Sequence, residues 1–273
     1  MVTPLRAQDF ISSRLPDLLT GSSQTTSLST HDLEFKATLV HWTAFENEVR
    51  STFRSTPWSA EILGYAAQNR QSSLDREQII CGDESSIVGR FNQHVGQVMG
   101  SVFRTLDISL WFGDYRASPD VSMGGDTPDI VVMDGDGLLK LVGEAKTPWR
   151  HNIASTMLQP QERLRRYLGQ ISRYMYIAKI KFGFLTTYNQ TIFFKQEPDP
   201  RKRGRWVLWH SNTIWHHTPS QQIGDPVPGD YREKVSVREC FLFLAKKIAS
   251  GDFSALKHHA ALRLGWPAGR SNL

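Results

Sequence analysis

The chain is predicted to be an α/β protein with a central mixed β-sheet flanked by helices. Segments with apolar residues at helical spacing alternate with short β-branched and aromatic runs. From residue 83 onward these segments follow the order helix, strand, strand, strand, helix, strand, which favours helices packed on a sheet. A length of 273 residues is enough to bury a substantial core.

The first eighty residues carry the weakest signal. Residues 12–31 are rich in Ser and Thr and have few large apolar side chains, as is typical of a mobile tail. Residues 32–53 and 57–71 are each predicted as a helix. The expected organisation is a disordered tail (1–31), an N-terminal helical extension (32–80), a main domain (81–255) and a C-terminal tail (256–273).

The main domain is predicted to begin with a helix that Asp83 caps. Its apolar stripe is Ile87, Phe91, Val95, Val98 and Val102. A second helix is predicted over 159–180, with Pro160 near its start and a stripe of Leu164, Leu168, Ile171, Met175 and Ala178. Further strands are predicted at 108–115, 182–188, 191–196 and 205–211, and a closing amphipathic helix at 235–253.

Residues 127–149 are predicted to form a hairpin around the turn Asp134-Gly-Asp136-Gly. The turn resembles the start of a calcium loop, but the later ligand positions hold Leu138 and Ala145, so a turn is favoured. Pairing Met133 with Leu138 would place Asp129 diagonal to Glu144. One face would then be apolar (Ile130, Val132, Leu139, Leu141 and Ala145), and the other would carry Asp129, Glu144 and Lys146.

These three charges suit phosphodiester hydrolysis. Two neighbouring carboxylates repel unless a cation or a proton lies between them. Oxygen ligands without His or Cys favour Mg²⁺ or Mn²⁺, and an adjacent ammonium can orient a bound water or stabilise developing charge. The alternative is that Glu144 and Lys146 form an exposed ion pair.

Pro128-Asp129 followed by Glu144-Ala145-Lys146 resembles the signature of the PD-(D/E)XK nuclease superfamily. Glu84 lies on the helix before the first strand, where many members keep an acidic residue. Gln170 and Tyr174 match the Q-x-x-x-Y element of the RecB-like branch. The resemblance covers about residues 83–190 and is nearest to nuclease-like domains of fungal proteins.

The resemblance implies a restriction-endonuclease-like αβββαβ core and a metal-dependent nuclease. Asp129 and Glu144 would then bind Mg²⁺ or Mn²⁺ with the Ala145 carbonyl, and Glu84 would be a further ligand or would support the others. Lys146 would act on the attacking water. Gln170 and Tyr174 would steady the site or touch the scissile phosphate, although Tyr174 also suits a core position.

Charge is unevenly distributed along the chain. Residues 140–206 carry 14 Lys and Arg against 4 Asp and Glu, whereas the rest carries 18 against 23, which favours a polyanionic partner such as DNA or RNA. A solvated helix face is the alternative. The residues expected to contact nucleic acid are Arg163, Arg166, Arg173, Arg201, Lys202, Arg203 and Arg205.

Several protein classes are disfavoured. No apolar run has the roughly 18 residues of a membrane span, and the N-terminus lacks the pattern of a secretory signal. Two cysteines are too few for a disulfide framework, which favours a nuclear or cytoplasmic protein with reduced thiols. Two rivals to the nuclease remain: an inactive domain that only binds nucleic acid or protein, and an enzyme on the same scaffold with a closed apolar pocket for a small molecule.

Overall fold

A computed structural model describes residues 3–26, 34–66, 76–119, 127–158, 162–199, 206–219 and 234–255, without the side chains of residues 158, 162 and 163. The strands are β1 (Pro4–Arg6), β2 (Leu19–Thr20), β3 (Thr38–His41), β4 (Ile62–Tyr65), β5 (Ile80–Cys81), β6 (Leu110–Gly113), β7 (Ile130–Asp134), β8 (Leu139–Ala145), β9 (Phe182–Thr186), β10 (Gln190–Pro198), β11 (Trp206–His210) and β12 (Ile214–Trp215). The helices are α1 (Ala7–Ile11), α2 (Phe45–Ser55), α3 (Glu84–Phe91), α4 (Gln97–Thr105), α5 (Ile153–Leu158), α6 (Glu162–Ile177) and α7 (Val237–Ala249).

The central sheet is mixed, as predicted. Its strand order is β3-β11-β10-β9-β8-β7-β6, and β12 also pairs with β10. The pairs β3–β11 and β8–β9 are parallel, whereas the other neighbours are antiparallel. The predicted segment order is present: α3 and α4 precede β6, β7 and β8, and α6 connects to β9.

Apolar side chains cover both faces of the sheet, so the fold has three layers. On one face Ile130 and Val132 pack with residues of α2, α3, α4 and α7. On the other face Val131 and Val142 pack with Leu168 of α6. Strands buried on both faces are apolar at successive positions, as in the run from Ile130 to Met133.

The helix predicted from residue 83 differs from its predicted apolar stripe at one position. Asp83 caps α3 as expected, since its Oδ1 accepts a hydrogen bond from Ser86 N at 2.8 Å. Between α3 and α4, residues Asn92–Gly96 form a π-helical turn. Such a turn accommodates an extra residue and rotates the faces of the next helix, so Met99 is fully buried where Val98 was expected.

The hairpin register also differs from the prediction. Asp134 N donates to Leu138 O at 3.1 Å and closes the loop, so Met133 pairs with Leu139. A bulge beside Met133 then brings Ile130 opposite Gly143. Val142 therefore pairs with Val131, two residues from its predicted partner, and Asp129 lies just before the paired residues. The bulge also places Leu139 in the core under α6, away from Ile130.

The predicted N-terminal organisation is wrong for the described residues of 1–80. In the expected tail, β1 pairs with β4, and Leu5, Ala7, Ile11 and Leu15 are buried. Their spacing spans a strand, a short helix and a loop, so no single period revealed them.

The two helices expected between residues 32 and 71 are also corrected. Thr38–His41 is an edge strand of the central sheet, and the helix begins only at Phe45. In 57–71 the described residues contain strand β4, not a helix. Residues 27–31, Pro160 and the expected tail 256–273 lie outside the described residues.

Gly143→Ala should destabilise the protein strongly. A Cβ at residue 143 would lie 2.0 Å from Phe184 Cζ. The Phe184 ring cannot yield easily, because it stacks on Phe91 and meets Phe241 edge-on. We expect a loss of about 1–3 kcal/mol or more in the free energy of unfolding, measured by urea denaturation.

Gly100→Ala is the control for that substitution. No atom lies within 4 Å of a Cβ at this helical position, so the extra methyl should be neutral or stabilise by up to about 1 kcal/mol. Equal stability of both variants would contradict the close packing of Phe184 against Gly143.

Within the described part of the chain, no helix is long and apolar enough to cross a membrane. Both cysteines, Cys81 and Cys240, are free and buried.

Candidate active site

Three chain segments bring the predicted acidic residues and the lysine together. Asp129 directly precedes β7, and Glu144 and Ala145 end β8. Lys146 follows β8, where its N–H donates to Thr186 O of the parallel neighbour β9 at 2.8 Å. Glu84 is the first residue of α3, and its Oε1 lies 3.6 Å from Lys146 Nζ.

Asp129 is fixed by the backbone of the opposite strand. Its Oδ2 accepts a hydrogen bond from Ala145 N at 2.8 Å. In a strand the N–H and C=O of one residue point to the same side, so the Ala145 carbonyl is directed toward the Asp129 side of β8. Burial raises the pKa of Asp129, although the Ala145 N–H, the Lys146 charge and a side-chain hydrogen bond with Glu144 oppose this.

Glu144 is almost completely buried, with 1% of its surface exposed. Its Oε1 accepts a hydrogen bond from Lys146 Nζ at 2.6 Å, and its carboxyl group also shares a side-chain hydrogen bond with Asp129. Burial raises the pKa of Glu144 to about 8, and repulsion from the Asp129 carboxylate acts in the same direction. The positive charge of Lys146 opposes both effects. Near neutral pH this carboxyl therefore holds a proton unless a cation replaces it.

Lys146 is the only positive charge among these four side chains, and it is buried. Burial acts to lower its pKa, but the carboxylates of Glu144, Glu84 and Asp129 outweigh this effect and raise it. The pKa of Glu84 is raised by burial and by Asp129, while Lys146 acts in the opposite direction. The cluster thus combines three carboxyls with one ammonium.

A divalent metal fits these residues in part. Among the described residues, no three His, Cys, Asp or Glu side chains are arranged to hold a metal ion. The adjacent carboxylates of Asp129 and Glu144 and the carbonyl of Ala145 nevertheless form an all-oxygen donor set. This chemistry suits Mg²⁺ or Mn²⁺, and such a cation would take the place of the proton between the two carboxyls.

Gln170 and Tyr174 lie behind the segment that carries Asp129. Gln170 Nε2 donates to Tyr174 Oη at 2.8 Å, and the Tyr174 hydroxyl donates to Thr127 O at 3.1 Å. Tyr174 is fully buried in the core under α6. Tyr174 therefore has both of the roles that the sequence left open. Its ring packs in the core, and its hydroxyl holds the chain just before Asp129.

Tyr174→Phe should weaken both the fold and the site. It deletes the hydrogen bond to Thr127 O, at an expected cost of about 1 kcal/mol in stability. Mn²⁺ affinity measured by calorimetry should fall a few-fold, because the segment before Asp129 loses an anchor. The control Gln170→Ala keeps the bond to Thr127 O and should have the smaller effect. Equal metal affinity of wild type and Tyr174→Phe would contradict this role.

Several Lys and Arg side chains of the basic segment, residues 140–206, have partners within the protein. Lys140 pairs with Asp134, Lys181 with Glu197 and Asp252, and Lys195 with Glu197. Arg165 donates to the carbonyls of Phe35 and Ala37. Sequence counting missed these structural uses because partners lie up to 130 residues away.

Few of the predicted nucleic-acid contacts fall on described side chains. Arg166 is exposed on α6, and Arg173 is partly buried on the same helix. The side chain of Arg163 and the residues Arg201, Lys202, Arg203 and Arg205 lie outside the described residues.

His151 was not singled out from the sequence. It is fully buried, and its Nδ1 donates to Thr147 O at 3.1 Å, which fastens the turn after Lys146. A lone histidine has no sequence signal for such a role.

No protein-family model matches the chain, and no curated protein or solved structure matches it either. A functional assignment therefore depends on the residues and the geometry described above.

Proposed function

We propose that the protein is a metal-dependent nuclease that hydrolyses phosphodiester bonds of DNA or RNA. The observation that carries the proposal is Glu144, a buried carboxyl that contacts both the Asp129 carboxyl and the Lys146 ammonium. A purely structural hairpin would not concentrate three carboxyls there, since each raises the cost of ionising the others. The match of these residues to the PD-(D/E)XK signature supports the same class.

Asp129, Glu144 and the carbonyl of Ala145 would hold Mg²⁺ or Mn²⁺, and Glu84 would add negative charge beside them. When bound, the ion would polarise a phosphoryl oxygen and lower the pKa of a coordinated water. Asp129 is already oriented by the Ala145 N–H, so little reorganisation of this ligand is needed.

Lys146 would orient the attacking water and stabilise the charge that develops on the phosphate. Its ammonium is held between Glu144 Oε1 and Glu84 Oε1, at 2.6 and 3.6 Å. A buried ammonium fixed in this way is preorganised, and it acts more strongly in a site of low dielectric than in water.

Arg150, Arg166 and Lys179 are exposed and would meet the phosphate backbone of a substrate. The same residues suit the alternative of a binding domain without catalysis. The buried Glu144–Lys146 pair distinguishes the two, because surface binding of a polyanion gains nothing from buried carboxylates.

Cleavage assays test the proposal. Purified protein should cleave at least one of single- or double-stranded DNA or RNA with Mg²⁺ or Mn²⁺, and should not cleave in EDTA. Asp129→Asn should abolish this activity, whereas Asp136→Asn, an exposed carboxylate in the turn of the same hairpin, should retain it. Binding of nucleic acid without cleavage under all these conditions would favour the binding domain.

A further inference from the structure

Residues 21–26, here termed the strap, connect two parts of the candidate site. The strap follows β2, which pairs in parallel with β5. Gly21 N donates to Cys81 O at 3.0 Å, and Thr25 N donates to Gly82 O at 2.9 Å. Thr25 O accepts a hydrogen bond from the indole Nε1 of Trp149 at 3.0 Å. The backbone of Thr25 is thus bonded to two segments far apart in sequence.

Both segments lead into the site. Gly82 lies two residues before Glu84, at the start of α3, and Trp149 lies three residues after Lys146. The strap therefore bridges the two elements whose side chains meet as the Glu84–Lys146 pair. Movement of the turn after Lys146 away from α3 would have to break this bridge.

The indole of Trp149 serves two purposes. Its ring is partly buried against the core on the sheet face that carries α3 and α7, and its N–H donates a hydrogen bond to the strap. A phenylalanine could keep most of the packing but could not donate the hydrogen bond. The bond reaches a backbone carbonyl, so the Ser and Thr side chains of the strap are not needed for it.

We propose that Trp149 is a positioning residue, which uses the strap to hold Glu84 and Lys146 within reach of each other. Its consequence for catalysis rests on the proposed nuclease function. Its effect on the distance between Glu84 and Lys146 does not depend on that function, because their contact exists without substrate. This role differs from simple fastening of the N-terminal segment, which would leave the Lys146 ammonium undisturbed.

Trp149→Phe is the principal test, with Thr25→Ala as its matched control, since the control keeps both backbone hydrogen bonds. Benzothienylalanine at residue 149, in which sulfur replaces the indole N–H, is a second variant that preserves the ring shape. Hydrogen exchange of the Thr25 amide reports the strap. The ¹H–¹⁵N resonance of the Lys146 ammonium at fixed pH reports its contact with Glu84, calibrated with Glu84→Gln.

We expect both Trp149 variants to exchange the Thr25 amide about tenfold faster than wild type, since the strap has lost an anchor. The Lys146 resonance should move toward its position in Glu84→Gln. With Mg²⁺ and nucleic acid, kcat should fall by about 2- to 10-fold, the scale of one hydrogen bond, with KM unchanged. Thr25→Ala should match wild type in all three measurements.

Faster exchange of the Thr25 amide with an unmoved Lys146 resonance and an unchanged kcat would overturn the proposal, because the bond would then only fasten the strap. Unchanged exchange would overturn it as well. If the wild type cleaves no nucleic acid, the nuclease function fails, and the Lys146 resonance alone decides whether Trp149 positions the pair.

Discussion

Lys146→Met should reduce the rate of phosphodiester cleavage by on the order of 10²-fold or more, the usual scale for losing one preorganised group that acts on transition-state charge. Methionine retains the apolar stem and deletes the ammonium. Mn²⁺ affinity should not fall, because Lys146 competes for Glu144 Oε1 and is not itself a ligand. Single-turnover rates and calorimetry with the same preparation give both quantities.

Lys179→Met is the matched control for Lys146→Met. Lys179 is an exposed lysine just after α6, so its replacement removes one positive charge and leaves the candidate site unchanged. It should lower substrate affinity slightly and leave the single-turnover rate unchanged. If Lys146→Met cleaves as fast as wild type, Lys146 has no catalytic role and the assignment as a nuclease loses its main support.

Glu144→Gln should abolish metal-dependent cleavage and yet stabilise the metal-free protein at high pH. The folded-state pKa of about 8 lies above the ordinary glutamate value of 4.5. The stability that this group contributes is thus fully present below pH 4.5 and is lost as pH rises through 8. Glutamine is always neutral, so this dependence should disappear.

The expected gain of Glu144→Gln over wild type at pH 9 is about 2–5 kcal/mol in the free energy of unfolding without divalent ions. Urea denaturation at pH 5, 7 and 9 measures it. Adding Mn²⁺ should stabilise wild type but not the variant. If the two proteins have parallel pH profiles of stability, Glu144 does not hold a proton in the folded state.

The sequence was a good guide where pattern and local geometry agree. The charges of Asp129, Glu144 and Lys146 were found from strand alternation, and the structure brings them together with Glu84. The exact pairing was not accessible, because a bulge beside Met133 shifts the register without a sequence signature.

Hydrogen bonds from side chains to distant backbone carbonyls could not be predicted from the sequence. Nothing in the residue pattern indicated that the Tyr174 hydroxyl bonds Thr127 O, or that Trp149 bonds Thr25 O. A backbone acceptor places no constraint on residue type. The N-terminal segment was misjudged for a related reason, since it is held by strand pairing and a few buried side chains such as Leu5 and Ile11.

The central claim is that Asp129 and Glu144 jointly bind one divalent cation. Calorimetric titration with Mn²⁺ of wild type, Asp129→Ala and Glu144→Ala at pH 7 tests it most directly. Repeating the titration in two buffers of different ionisation enthalpy counts the protons released. We predict one site in wild type with release of up to one proton, from Glu144, and at least about tenfold weaker binding in both variants. Equal Mn²⁺ binding by all three proteins would contradict the claim.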